Sequence, residues 1–270
     1  MDVKILKLFP DFPQCDLTCY LHREIMPNAP ARRAIIVCPG GGYLGLSARE
    51  DEVVALEYLN AGFQVFCLHY GVGAAAADYT PLTQACLSIR YVREHAAEWN
   101  IRPDRIFITG FSAGGHLAAS TGTMYDHAAV RAAFGDAPTS LGRPDGMILC
   151  YPVITAGKHA HRGSILALCG DPNADEVQQR EFSLEHNVTP DTPPAFLWHT
   201  AADDLVPVQN SLLFAAALAE HGVSFEAHIY PHGAHGLSLC DERTWVGNSG
   251  MLSDVAAPWI ANAIRWAKQL

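Results

Sequence analysis

The sequence predicts an α/β fold, a mostly parallel central sheet with helices on both faces and an antiparallel edge at its N-terminal end. Three observations predict it. Apolar runs of strand length recur along the 270 residues, helical stretches separate most of them, and the first two strand-like runs have no helix between them. With 49% hydrophobic and 17% charged residues, the chain has enough apolar material to bury a sizeable core.

Val3, Ile5 and Leu8 mark a first strand over Val3–Leu8, and Asp16–Leu21 is the second. With no crossover helix to reverse the chain, this pair is antiparallel. The later strand runs are Ala34–Cys38, Phe63–His69, Arg105–Thr109, Met147–Tyr151, Ala195–Thr200 and Ser224–Tyr230. Helices are expected over Glu50–Asn60, Pro81–Asn100, Ser112–Met124, Pro207–His221 and Ser253–Leu270. Leu82, Ala85, Ile89, Val92 and Ala96 give the longest of these one apolar face. The Ala74–Ala77 run reads as the approach of a loop to that helix, without a function of its own. Residues 156–194 break the alternation: they are polar, rich in Gly and Pro, and lack a strand pattern. Ordinary connections span about 4–6 residues, so this stretch is expected to carry local helices or act as a lid. The whole of 1–270 reads as a single domain with 156–194 as a lid or insertion.

Composition excludes several classes. A net charge of −10, with no basic stripe, argues against a nucleic-acid partner. No apolar run approaches the roughly 18 residues of a membrane span. The N-terminus lacks a basic start, a continuous apolar stretch and a cleavage site, so it does not read as a signal peptide. The eight cysteines are scattered, several within apolar runs and none in a CxxC pair. They read as reduced core thiols of a cytoplasmic protein. The histidines lack ligand spacings such as HExxH, so no metal is expected, and no cofactor.

Gly110-Phe111-Ser112-Ala113-Gly114 lies between an expected strand and an expected helix. A serine on such a sharp turn exposes its hydroxyl above the sheet, and the turn demands small residues two positions to either side. The helix N-terminus beyond it offers unpaired N–H groups to a developing anion. A second glycine cluster, Pro39-Gly40-Gly41-Gly42-Tyr43, follows another strand. Its amides, with that of Ala113, are the expected oxyanion donors, Gly41 and Gly42 being the contributors. Tyr43 is a candidate substrate contact, either stacking on a ligand or packing against the 156–194 segment.

A serine hydroxyl needs a base, and the base a carboxylate to orient it. The loop after the last strand reads Pro231-His232-Gly233-Ala234-His235-Gly236 and makes His235 the expected base, with His232 second; His228 lies within the strand and is structural. The acid belongs to the loop carrying Asp203 and Asp204. Spacing scarcely separates the two; Asp203 is preferred, with Asp204 helping to start the helix near Pro207.

These residues resemble the α/β-hydrolase fold, and more narrowly a bacterial carbohydrate-esterase-like branch that includes acetyl xylan and feruloyl esterases. The stretch Val188-Thr189-Pro190-Asp191-Thr192-Pro193-Pro194 and the following Phe196-Leu197-Trp198-His199-Thr200 are similar to that branch. The resemblance supports Asp203 as the acid and implies hydrolysis of small acyl groups, typically acetyl, from sugar hydroxyls. Pro39 stands where the lipase-type HGGG loop has its histidine, which removes a side chain that often braces the loop. The expected partner is a small ester, including an acylated oligosaccharide. Two alternatives stand beside this reading: a small amidase or formamidase on the same fold, and a non-catalytic receptor on a hydrolase scaffold.

Overall fold

The computed structural model describes residues 1–23 and 29–270. One eight-stranded sheet runs through it, built from β1 (Asp2–Leu6), β2 (Asp16–Leu21), β3 (Arg32–Cys38), β4 (Gln64–His69), β5 (Ile101–Phe111), β6 (Gly146–Cys150), β7 (Ala195–Thr200) and β8 (Phe225–Tyr230). Their spatial order is β1-β2-β4-β3-β5-β6-β7-β8. β2 pairs antiparallel with both β1 and β4, and all later pairs are parallel.

Strand alternation divides the core in two. Ile36, Leu68, Ile108, Leu149 and Leu197 face one side of the sheet with Leu117 and Phe214. Those last two belong to α3 (Ala113–Thr123) and α7 (Gln209–Glu220), and α2 (Thr80–Glu94) adds Ile89 and Val92. Ile35, Val37, Phe107, Ile148 and Trp198 face the other side, with Val54 and Tyr58 of α1 (Glu52–Asn60) and Trp259 and Trp266 of α8 (Trp259–Gln269). Central strands buried on both faces read as continuous apolar runs, which is why they were conspicuous in the sequence. β1 and β8 are edges and carry the exposed Val3, Ile5, Phe225 and Ile229.

The helix expected over Pro81–Asn100 ends at Glu94, and Asn100, at φ 51°, turns the chain into a longer β5. The helix expected from Ser253 begins at Trp259, after turns at Ser253–Ala257 and Pro258, whose fixed φ suits a helix entrance. α4 (Ala128–Phe134) was not anticipated; its Val130 and Phe134 pack with Leu82 and Cys86 of α2. The Ala74–Ala77 region forms a short 3-10 turn, Gly73–Ala76. Residues 156–194 contain α5 (Arg162–Cys169) and α6 (Glu176–Arg180), the latter opened by a capping box of Asp175 and Gln178. Buried Ile165, Leu168, Phe182 and Leu184 pack this segment on the body of the protein. No helix among the described residues is long and apolar enough to cross a membrane. All eight cysteines are unpaired thiols, and seven are buried.

Candidate active site

The strand order reverses beside β3, between β4 and β5, and the carboxyl ends of strands at such a switch point are where open α/β sheets place ligands. Cys38 at the end of β3 lies opposite Gly110 of β5, so the glycine cluster and the serine turn leave the sheet side by side. β7 and β8 end together at Thr200 and Tyr230 and release the aspartate and histidine loops at the same edge.

One residue, Ser112, separates β5 from α3. Its φ of 53° and ψ of −118° lie in a region that costs an L-residue of order 1–3 kcal/mol. Sterics hold it there. A Cβ on Gly110 would come 2.0 Å from the Gly114 carbonyl oxygen, and one on Gly114 would come 2.2 Å from that of Cys38. The Ser112 N–H donates to Cys150 O (3.0 Å) and its carbonyl accepts from Val153 N–H (3.0 Å), which ties the turn to the end of β6.

Above this turn the side chains form a continuous hydrogen-bonded row. Ser112 Oγ lies 2.8 Å from His235 Nε2, and His235 Nδ1 lies 2.7 Å from Asp203 Oδ2. Asp203 is itself seated from below: its Oδ1 accepts from the N–H groups of Leu205 (3.0 Å) and Val206 (2.9 Å). Its Oδ2 accepts a second imidazole bond, from His199 Nε2 at 3.1 Å. Burial alone would push the Asp203 carboxyl up, but the bonds from His199, His235 and Val206 hold it well below the usual carboxylate range. His199 is wholly buried, with Nδ1 2.8 Å from Ser211 Oγ and Nε2 also 2.9 Å from Val206 O. A nitrogen facing a carbonyl must be the donor, so His199 presents its proton to the aspartate. Ser112 is 8% exposed, enough to leave a narrow approach to its hydroxyl.

The glycine cluster abuts the serine: a Cβ on Gly40 would lie 3.1 Å from Ser112 Cβ. Gly41 and Gly42, at φ 130° and 67°, curl the loop so that the Gly41 carbonyl accepts from Leu44 and Gly45. The amides of Gly41, Gly42 and Ala113 have no protein acceptor among the described residues. Pro39 lacks the bracing side chain of an HGGG loop, and other groups brace instead. Tyr70 Oη donates to Pro39 O (2.6 Å) and the Gly40 N–H donates to Glu50 Oε2 (2.9 Å).

Glu50 also joins the two halves of the site. Its Oε1 accepts from Tyr151 Oη (2.7 Å), which in turn accepts from the Ser238 N–H (2.9 Å) just beyond His235. Arg49 completes the clasp by donating to the carbonyls of Gly236 (2.8 Å) and Thr244. The Tyr151 ring packs edge-on to the His235 imidazole at 5.1 Å.

The sequence profile of BD-FAE matches residues 24–218, which is most of the chain. The chain belongs to the BD-FAE family. Among solved structures, this BD-FAE chain is similar to an acetyl ester-xyloside bifunctional hydrolase from Caldicellulosiruptor lactoaceticus. The two share 38% identity and a TM-score of 0.81, over 98% of this chain and 92% of the other. It is 37% identical to endo-1,4-beta-xylanase B of Butyrivibrio fibrisolvens over 87% of its own length and 36% of that protein's. It is 31% identical to an acetylxylan esterase of Xylanibacter ruminicola, over 93% and 48% respectively. The BD-FAE chain thus spans between a third and a half of the length of these two curated relatives. The solved neighbour and the sheet topology make its fold that of the α/β hydrolases.

The structure decides between the two roles expected of Tyr43 and corrects the one expected of Asp204. Tyr43 is 1% exposed and cannot stack on a ligand; its hydroxyl donates to His116 Nδ1 (3.0 Å), and its ring meets those of Tyr70 and His116 edge-on. It does reach the 156–194 segment indirectly, since His116 Nε2 donates to Phe182 O (3.0 Å). Asp204 caps no helix: α7 starts at Gln209 without a side-chain cap, too far along for an Asp204 carboxylate, which is exposed. The turn is instead stabilised by Asp203. His232 is exposed and makes no hydrogen bond among the described residues. His228 lies in β8 with Nε2 2.7 Å from Glu226 Oε1. No group of three potential metal ligands occurs among the described residues.

Sequence reading missed Glu50, Tyr151, Arg49, His199 and Ser238. None had a signal at the residue level; Glu50, Tyr151, Arg49 and Ser238 act on partners distant in the chain, and His199 acts on Asp203 only once the turn after β7 is formed. His199 lay within the stretch Phe196–Thr200 noted for its resemblance, while Tyr151 and Glu50 were read only as the end of a strand and the start of a helix.

Proposed function

We propose that the chain is a serine carboxylic ester hydrolase that removes small acyl groups, acetyl foremost, from carbohydrate or other small esters. The observation that carries this reading is the hydrogen-bonded row from Ser112 Oγ through His235 to Asp203, set beside unpaired backbone amides. In this reading Ser112 attacks the acyl carbonyl while His235 Nε2 takes its proton. The amides of Gly41, Gly42 and Ala113 bind the oxyanion of the tetrahedral intermediate. His235 returns the proton to the departing alcohol oxygen, and the acyl group stays on Ser112 until water, deprotonated by the same histidine, releases it as the acid. Asp203 stays ionised throughout, since its bonds favour the charged form, and so stabilises the imidazolium that appears at each step.

The choice of acetyl and sugar is supported by relatives named as acetylxylan esterase and acetyl ester-xyloside hydrolase. The test is a pre-steady-state assay with p-nitrophenyl acetate, followed by labelling with a fluorophosphonate probe. A burst of one p-nitrophenol per chain is expected, with probe labelling that disappears in Ser112→Ala. Turnover that survives Ser112→Ala, or a wild-type protein that the probe leaves unlabelled, would sink the proposal.

A further inference from the structure

His161 stands beside the site but has no part in the row of Ser112, His235 and Asp203. It caps α5, and its Nδ1 accepts the Ser164 N–H (3.3 Å) and lies 2.8 Å from the Ser164 hydroxyl. A ring nitrogen that accepts a backbone N–H carries no proton, so the neutral ring holds its hydrogen on Nε2. That Nε2–H has no protein acceptor among the described residues, although the side chain is half-buried. The ring borders Gly42: a Cβ placed there would lie 3.9 Å from His161 Cε1 and 3.9 Å from Ser164 Oγ. His161 and Ser164 therefore wall the open side of the glycine loop at contact distance. Burial lowers the His161 pKa from its ordinary value and the nearby charge of His235 lowers it further, with Asp203 acting weakly in the opposite sense. The ring is thus kept as a neutral donor.

We propose that His161 is a specificity-determining residue whose Nε2–H donates a hydrogen bond to an oxygen of the alcohol half of the ester, a sugar hydroxyl beside the acylated one. This rests on the esterase reading and deepens it. The acyl oxygen already has backbone donors in Gly41, Gly42 and Ala113. The alcohol leaves on the side of His235, because its oxygen receives the proton from Nε2. A neutral donor that borders Gly42 at contact distance, within reach of the charge of His235, meets the leaving group where that group carries its nearest hydroxyls. A site that donates to a substrate hydroxyl rejects analogues lacking it. His161 also belongs to residues 156–194, so that segment contributes one named atom to the site.

The test compares kcat/KM for an acetylated methyl xyloside with that for p-nitrophenyl acetate, whose leaving group has no neighbouring hydroxyl. His161→Phe keeps an aromatic ring without the donor, and His161→Gln keeps an N–H near the position of Nε2. The ratio of the two kcat/KM values is expected to fall about tenfold in His161→Phe, the weight of one neutral hydrogen bond. In His161→Gln the ratio should stay within about threefold of wild type. Equal losses on both substrates in His161→Phe would overturn the proposal and assign the residue to the acyl oxygen or to structure. An unchanged ratio in both variants would overturn it as well. The esterase reading fails separately, through a wild-type protein inactive on both substrates. Should His161→Phe not fold, the same ratio is read in His161→Ala, with fluorophosphonate labelling of Ser112 showing that the site is intact.

Discussion

The two sides of the site are held by different physics. The glycine side, Gly40–Gly42 and Gly110–Gly115, is fixed by backbone contact. At Gly110, Gly114 and Gly41 an added Cβ would lie 2.0–2.2 Å from a carbonyl oxygen. The histidine side is fixed by side-chain hydrogen bonds: Asp203 to its neighbour His199, and, across longer stretches of chain, His235 to Asp203 and Arg49 to Gly236. Hard contacts tolerate no larger residue, whereas a hydrogen-bonded clasp loosens by degrees. The first side should fail by unfolding and the second by losing rate.

The largest effect expected lies on the histidine side. Asp203→Asn places an amide opposite two imidazole donors while leaving Oδ1 to accept from Leu205 and Val206. Ester hydrolysis should fall by about 10³–10⁴ in kcat as His235 loses its orienting acceptor, far more than the loss of stability that a circular-dichroism melt registers when the carboxylate's bonds are given up. The distinction between the two aspartates breaks down if Asp204→Asn, and not Asp203→Asn, abolishes turnover.

On the glycine side, Gly114→Ala should cost about 4 kcal/mol or more, because the obstruction is the backbone of Cys38 and Pro39 rather than a movable side chain. Gly42→Ala meets only the 3.9 Å contacts of His161 and Ser164, and its penalty is that of a positive φ, about 1 kcal/mol. Urea melts that rank the two equally would contradict the steric account.

A third difference is electrostatic. His116, buried behind the glycine loop, is pushed down to about 4 by burial, partly offset by its bond to the Phe182 carbonyl. A folded value below the ordinary one means that the unfolded chain takes up the proton first as pH falls. Stability should therefore drop between about pH 6.5 and 4, by about 3 kcal/mol from this residue. His69, at the antiparallel edge, is raised to about 9 by its bonds to Asp51 and Asp16, against the burial that would lower it. Its contribution is full below about pH 6.5 and disappears as pH rises through about 9. Denaturation of wild type and His116→Gln at pH 7 and 4.5 separates the two. Parallel acid slopes for both proteins would remove His116 from the account.

The smallest effect concerns the clasp. Arg49→Ala frees the Gly236 and Thr244 carbonyls from the turn preceding α1 without touching the row of hydrogen bonds. Turnover of p-nitrophenyl acetate should fall about tenfold, consistent with a small displacement of His235. A loss as large as that of Asp203→Asn would mean that the loop has no other support.

This contrast also explains what could be read before the structure. Small residues required by close backbone approach leave a local record, so Gly40–Gly42 and Gly110–Gly114 stood out. Ser112 followed from its place between an apolar strand and a helix. Asp203 and His235 followed from loops at the ends of strands whose order the α/β-hydrolase resemblance supplied. The two roles of Tyr43 stayed open because adjacency to the glycines says nothing about the direction of its ring, which the positive φ of 61° turns into the core. Asp204 was misjudged because α7 starts at Gln209, two residues beyond the expected start at Pro207 and out of reach of the Asp204 carboxylate.

By itself, the sequence determined the layered α/β sheet, through apolar runs of strand length, and the serine turn, through glycines with no room for a Cβ. Both are local consequences of sterics and burial. Only the tertiary structure decided how Glu50, Tyr151 and Ser238 join the two sides, how His199 steadies Asp203, and where His161 stands. A hydrogen bond between residues 101 or 189 positions apart, as in Tyr151–Glu50 and Ser238–Arg49, depends on which strands lie side by side, and no run of neighbouring residues records that.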